Sequence, residues 1–120
     1  MQVRSFQDLE VWKKAHQLVL EIYRSTNHFP GNELFGITAQ IRRSSASIPT
    51  NLVEGGKRSS RKDYAHFVNM AESSLEETKY HLILSRDLGY LESSQYDALT
   101  MLSDEIGRMF YGLRKKLLSF

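Results

Sequence analysis

Carboxylate and histidine side chains in the second half of the chain are the first candidates for chemistry. Three glutamates lie within residues 72–77, and His81 follows Glu77 by four residues. Di-metal centres in helical bundles use such ligands, but they need two Glu-x-x-His motifs that project inward. A related spacing occurs once, from Asp63 to His66, and His66 is predicted to point away from the core. We therefore predict no metal site and no cofactor, and we interpret Glu77 with His81 as a pair on a helix surface.

Serine nucleophiles and a phosphate-binding loop are the other two chemistries to consider. The dipeptide Gly56-Lys57 lacks the preceding strand and the following hydroxyl residue that a phosphate loop requires. The chain has no cysteine, which excludes a cysteine nucleophile and a thiolate zinc site. N-capping and close helix approach account for the serines, which lack a nearby base within a pocket: Ser44, Ser45, Ser47, Ser59 and Ser60. No catalytic residue is predicted.

Positive charge is concentrated between residues 42 and 62. The whole chain has a net charge of +2, whereas this segment has six basic residues against the single acidic Glu54, a local charge of +5. These residues either contact the phosphates of RNA or DNA, or form a solvated and ion-paired surface. In the second case Arg42 or Arg43 pairs with Glu54 or Glu76, within the chain or across a subunit contact. The six residues are Arg42, Arg43, Lys57, Arg58, Arg61 and Lys62.

Helical spacing of apolar residues predicts the elements that position these groups. Four segments carry apolar residues at intervals of three and four, and short turn sequences separate them. The residues predicted to begin the helices are Ser5, Asn32, Ser60 and Ser94. Turns at Phe29-Pro30-Gly31, Gly55-Gly56 and Asp87-Leu88-Gly89-Tyr90 are predicted to end the first three. The pattern predicts an all-α fold, an antiparallel up-down-up-down four-helix bundle that forms one domain over residues 1–120.

The second predicted helix has apolar or small residues on two opposite sides. One stripe, from Leu34 to Leu52, suits the core of the bundle. A helix with a second such side lies either at the centre of a larger fold or in a subunit contact, and in a chain of 120 residues we expect the subunit contact. This predicted oligomer interface consists of Phe35, Ala39, Arg42, Ala46, Pro49 and Val53.

Proline within this helix has a predicted local consequence. Pro49 removes one backbone donor and is expected to bend the helix. The side-chain amide of Asn51 is predicted to bond backbone groups that Pro49 leaves free. Asn51 is therefore interpreted as a structural polar residue. Glu54 and Glu76, the candidate partners of Arg42 and Arg43, are interpreted in the same way.

Three stretches of the sequence together resemble a known family. They cover residues 6–23, 35–55 and 71–82, and the second contains the pattern QIRRSSxSIPxNxxEG. Over nearly its whole length, the chain resembles the four-helix-bundle proteins encoded within intervening sequences of bacterial 23S ribosomal RNA genes. The resemblance implies a ring-like homopentamer and no family-wide enzymatic activity. It also implies kinship with a protein of diversity-generating retroelements that binds a reverse transcriptase and nucleic acid.

The expected partners follow from these patterns and from the resemblance. We expect self-association as a homopentamer, and the other candidate partners are RNA or DNA and a nucleic-acid enzyme such as a reverse transcriptase. No segment approaches the roughly 18 apolar residues needed to cross a bilayer, and the first residues lack the apolar core of a signal peptide. We therefore expect a cytoplasmic protein with no membrane partner.

Overall fold

The computed structural model describes residues 6–119, apart from the side chain of Asp8, and most of these residues lie in four long helices. Short 3₁₀ turns over Phe6–Asp8 and Gly31–Glu33 precede the first two of them. The helices are α1 (Glu10–Thr26), α2 (Ile37–Gly56), α3 (Arg61–Asp87) and α4 (Ser93–Leu117). No strand occurs among the described residues, so the predicted all-α class is confirmed.

Contacts between helices define a ring in which sequence neighbours run in opposite directions. Ser44 on α2 lies 2.9 Å from Thr78 on α3, whereas Gly55, later on α2, lies against Phe67, earlier on α3. The same reversal joins α3 to α4, where Glu72 pairs with Arg114 and Lys79 with Asp104. Because α4 also packs against α1, the four helices close into the predicted antiparallel four-helix bundle.

The core consists of the inward stripes of all four helices. Burial of each large aliphatic side chain contributes about 1.5–3 kcal/mol, so these stripes provide the main driving force for folding. Leu34 is an exception to the predicted stripe of α2, because it precedes the helix and stays half-exposed. The largest fully buried apolar side chains are Leu18, Ile22, Ile41, Ile48, Leu52, Val68, Leu82, Ile106 and Phe110.

The helix starts test the predicted caps individually. Ser60 is confirmed, since its Oγ accepts a hydrogen bond of 3.0 Å from the Asp63 amide. Asn32 is wrong, because it lies in a 3₁₀ turn and α2 begins after Gly36. The predicted cap at Ser94 is also wrong, because Glu92 caps α4 and forms a capping box with Gln95. The predicted type of cap is present, but it begins two residues earlier than predicted. Ser5 lies outside the described residues.

Two glycine positions end helices in different ways. After α3, Gly89 has a φ of +82° and forms a Schellman motif. The Tyr90 amide donates to the Ser85 carbonyl, and the Gly89 amide donates to the Arg86 carbonyl. At the end of α2, neither Gly55 nor Gly56 has a positive φ. The predicted stop at Gly55-Gly56 is confirmed in position, but it does not use the left-handed conformation that favours glycine at helix ends.

Gly55 instead allows close packing of α2 on α3. A Cβ added there would lie 2.9 Å from Phe67 Cβ and 2.9 Å from Tyr64 Cδ1, and the Phe67 atom cannot move without its backbone. We predict that Gly55→Ala lowers the free energy of unfolding by about 1–3 kcal/mol, through overpacking. Urea denaturation followed by circular dichroism measures this change.

Gly56→Ala is the matched control, because a Cβ at that position meets nothing within 4 Å. The higher helix propensity of alanine should leave its stability unchanged or raise it by at most about 1 kcal/mol. Equal effects of the two substitutions would contradict the packing role of Gly55.

Within residues 6–119, no helix is long and apolar enough to cross a membrane.

Candidate nucleic-acid interface

Three helix ends bring basic residues together at one end of the bundle. The C-terminus of α2 and the N-terminus of α3 carry the basic segment from Lys57 to Lys62, and the last turn of α4 adds Arg114, Lys115 and Lys116. Arg61 joins the two groups, because its Nη2 donates to the Lys116 carbonyl at 2.9 Å and its Nε donates to the Leu117 carbonyl at 3.3 Å. The basic end is defined here as Lys57, Arg58, Arg61, Lys62, Arg114, Lys115 and Lys116.

The cations of the basic end differ in how far they are engaged within the chain. Arg114 forms the shortest ion pair, since its Nε donates to Glu72 Oε1 at 2.7 Å. Arg58 lies over the Phe67 ring at 4.5 Å and reaches Glu54 at 3.9 Å. Four lysines are exposed and have no ion pair among the described residues: Lys57, Lys62, Lys115 and Lys116. These lysines provide the accessible positive charge.

Arg42 and Arg43 are not part of this surface. Both lie in the first two turns of α2, and Arg43 is about 20 Å from Lys57 along the helix at 1.5 Å per residue. Arg42 donates to Thr26 Oγ1 at 2.9 Å and to Asn27 Oδ1 at 3.2 Å, so it fastens α2 to the end of α1. The structure therefore separates the six predicted nucleic-acid contacts into a group of four and a distant pair.

The predicted intrachain partners of Arg42 and Arg43 are wrong. Glu54 pairs with Arg58 and Glu76 with Lys79, both at 3.9 Å and both with the carboxylate exposed. Ion pairs this long and this exposed contribute little to stability. Within one chain, Glu54 and Glu76 therefore contribute little as structural polar residues, and a pair with Arg42 or Arg43 across a subunit contact stays a prediction.

Asn51 has a backbone partner, but not the one predicted. Its Nδ2 donates to the Ser47 carbonyl at 2.8 Å. A proline inside a helix has no N–H to donate to the carbonyl four residues earlier, so Pro49 leaves the Ser45 carbonyl without its helical donor. Asn51 therefore reinforces the turn around Pro49 and does not replace the missing bond.

The second stripe of α2 is largely covered within the chain. Pro49 is buried, and Ala39, Ala46 and Val53 are half-buried, because α2 packs against α1 as well as α3. The premise that this side needs a second subunit to cover it is wrong, since a four-helix ring gives each helix two neighbours. Phe35 differs from the others: it precedes α2 and its side chain is 91% exposed. The subunit contact itself stays a prediction.

A buried polar cluster joins α2 to α3, and the sequence did not predict it. Ser44 Oγ lies 2.9 Å from Thr78 Oγ1 and 3.2 Å from His81 Nδ1. His81 Nε2 lies 3.8 Å from Glu77, but the imidazole is only 5% exposed, so the predicted surface pair is wrong for the histidine. Burial lowers the pKa of His81, and the charge of Glu77 opposes this effect.

This cluster combines a serine, a histidine and a carboxylate, yet its geometry does not expose a nucleophile. Ser44 is buried, and its hydroxyl is bonded to neighbouring groups. It lines none of the main cavities formed by residues 6–119. His81 is adjacent to Ser44, which the sequence did not predict, but the two residues do not meet in a pocket, so the prediction that Ser44 lacks a base within a pocket is not contradicted. The sequence did contain a signal for the burial of His81. It lies three residues after Thr78 and four before the inward-facing Ser85, which places all three on one face of α3.

No group of three or more potential metal ligands occurs in the described part of the chain. His66 is exposed, as the helical register predicts.

The family of the chain follows from its sequence profile. The profile described as 23S rRNA-intervening sequence protein matches residues 7–112, which is most of the chain. The chain belongs to this family. No functionally curated protein is significantly similar to this chain.

A solved structure supports the same relationship. The chain is similar to a protein of unknown function from the S23 ribosomal protein family of Bacteroides thetaiotaomicron. The two share 28% sequence identity and superpose with a TM-score of 0.78, covering 88% of this chain and 98% of the other. Both the family and the fold predicted from the sequence are thereby confirmed.

Proposed function

We propose that this protein is a cytoplasmic, non-enzymatic, homopentameric scaffold whose basic end binds RNA or DNA. The observation that carries the proposal is the convergence of α2, α3 and α4 at the basic end. It leaves four exposed lysines without an ion pair among the described residues. Such lysines neutralise phosphates and release condensed counterions, which favours binding without sequence specificity.

Repetition of the basic end in an oligomer would multiply a weak contact. Each additional copy that engages the same strand binds at a high effective concentration, so a ring binds more tightly than its protomer. The physical role of the protein is then to hold a nucleic acid on a multivalent surface.

Titration of a fluorescent 30-nucleotide RNA by anisotropy tests the nucleic-acid proposal. At about 50 mM salt we expect a Kd in the micromolar range, and a plot of log K against log salt should fall linearly. Binding to a 30-base-pair DNA duplex of unrelated sequence should also weaken linearly on this plot. Absence of binding to both at low salt would contradict the proposal.

Exposed apolar side chains support the oligomer. Phe35 is 91% exposed and Met101 73%, and burying such side chains against another subunit is favourable. Size-exclusion chromatography with light scattering at micromolar concentration should give five times the mass of the 13.9 kDa chain. A strict monomer would refute the scaffold.

The same exposed apolar side chains suit a second role, in which the protein is an adaptor for a reverse transcriptase or another nucleic-acid enzyme. Affinity purification with nuclease treatment distinguishes the two roles. Retention of such an enzyme after the nucleic acid is digested favours the adaptor, whereas its release favours binding through RNA or DNA.

A further inference from the structure

The basic end of the bundle contains a cavity of about 600 Å³. Its lining residues come from α2, from the start of α3, from the end of α4 and from the segment that precedes α1, and most of its surface is apolar. Leu52 is fully buried, and Leu113, Leu117 and Tyr64 are half-buried around it. This volume lies within the range of about 300–1,000 Å³ that small-molecule sites occupy.

The described charged residues around this cavity have one sign. Lys57, Arg61 and Lys116 line it, and none of the lining residues that the structure describes is acidic. Arg61 is fixed by its bonds to the last carbonyls of α4. Lys57 and Lys116 are exposed and have no ion pair among the described residues. An anionic group at this position would therefore meet the two lysines beside the guanidinium of Arg61.

The interior offers little to a polar ligand. None of the lining residues in the described part of the chain is Asn, Gln, Ser, Thr or His, and Tyr64 contributes their one polar side-chain group besides the cations, its hydroxyl. Burial raises the pKa of Tyr64, which is consistent with an apolar surrounding. A nucleobase or sugar would lose its hydrogen bonds to water there without replacement, whereas an alkyl chain loses none. The lining therefore favours an aliphatic body over a base.

We propose that this cavity binds a medium-chain aliphatic carboxylate, with the alkyl chain among the leucines and the carboxylate among Lys57, Arg61 and Lys116. The volume is large enough for a chain of about eight to twelve carbons. This inference does not depend on nucleic-acid binding, because Lys62 and Lys115 belong to the basic end but do not line the cavity.

The protein contains its own reporter for this site. Trp12 is its single tryptophan, and the Trp12 ring contacts the ring of Phe6, a cavity-lining residue, with centroids 5.0 Å apart. Titration with decanoate below its micelle concentration should change tryptophan fluorescence saturably, and calorimetry should give the same Kd. Octanoate should bind about tenfold more weakly, because it buries two fewer methylene groups. Decyltrimethylammonium has a chain of the same length and the opposite charge, and should bind at least tenfold more weakly than decanoate.

A pair of charge-matched variants locates the carboxylate. Lys57→Glu/Lys116→Glu should weaken decanoate binding at least tenfold, whereas Lys62→Glu/Lys115→Glu should leave it within about twofold. Circular dichroism should show that both variants fold like the parent protein. No saturable decanoate binding, equal binding of the cationic amphiphile, or equal effects of the two variants would overturn the proposal. Nucleic-acid titrations of the parent protein report separately on the proposed function.

Discussion

Lys62→Glu/Lys115→Glu is expected to weaken RNA binding at least tenfold at about 50 mM salt. Both lysines are exposed at the basic end, and neither has an ion pair among the described residues, so their charge is available to phosphates. Each phosphate contact contributes about 0.7–0.9 to the slope of log K against log salt. Loss of two contacts should therefore make the slope shallower by about 1.4–1.8, as measured by anisotropy over a salt series.

Arg24→Glu/Arg108→Glu is the matched control for this variant. It changes the net charge by the same amount, and both arginines are exposed outside the basic end. If binding depends on local geometry, the control should retain most of the affinity and the parent slope. Equal losses in the two variants would show that only overall charge matters, and would remove the basic end from the proposed function.

Replacement of His81 by alanine is expected to lower the free energy of unfolding by about 2–4 kcal/mol. The imidazole is 5% exposed, so its removal leaves a cavity between α2 and α3. It also removes one partner of the Ser44 hydroxyl. Urea denaturation at pH 8 measures this change. The exposed His66 on the same helix is the control, and His66→Ala should change stability by less than about 0.5 kcal/mol.

The same histidine should make stability depend on pH. Burial lowers the pKa of folded His81 below its ordinary value of 6.5, so the unfolded chain binds the proton more tightly than the folded chain. This group therefore costs no stability above pH 6.5, and stability falls as the pH decreases from 6.5 toward the lowered pKa. His81→Gln should lose this part of the pH profile and His66→Ala should keep it. A profile unchanged by His81→Gln would contradict the assignment.

The sequence was sufficient to predict the helices and most of their inward faces. Apolar spacing and the Ser60 cap are local properties, and local hydrogen bonds and burial enforce them whatever the neighbouring helices do. The errors at Asn32 and Ser94 lie at helix starts, where several nearby polar residues compete as caps. Gly55 was placed correctly at the helix end, but its contact with Phe67 becomes visible only when α3 packs on α2.

The candidate interface could be predicted only in part. The segment from Lys57 to Lys62 is contiguous in sequence, and its positive charge is evident without a fold. Lys115 and Lys116 join it because an up-down bundle places the end of α4 beside the start of α3. The sequence analysis did not predict this addition, because the residues are more than 50 positions apart in the chain.

By itself, the sequence determined four amphipathic helices, their antiparallel order, and membership of a family whose pattern covers most of the chain. The tertiary structure decided which side chains meet: Arg42 on the second stripe of α2 bonds Thr26 of α1, His81 is buried beside Ser44, and a cavity opens beside Lys57 and Lys116 of the basic end. The physical reason is that periodicity fixes the direction of a side chain relative to its own helix axis. Its burial, charge environment and partners depend on helices distant in sequence.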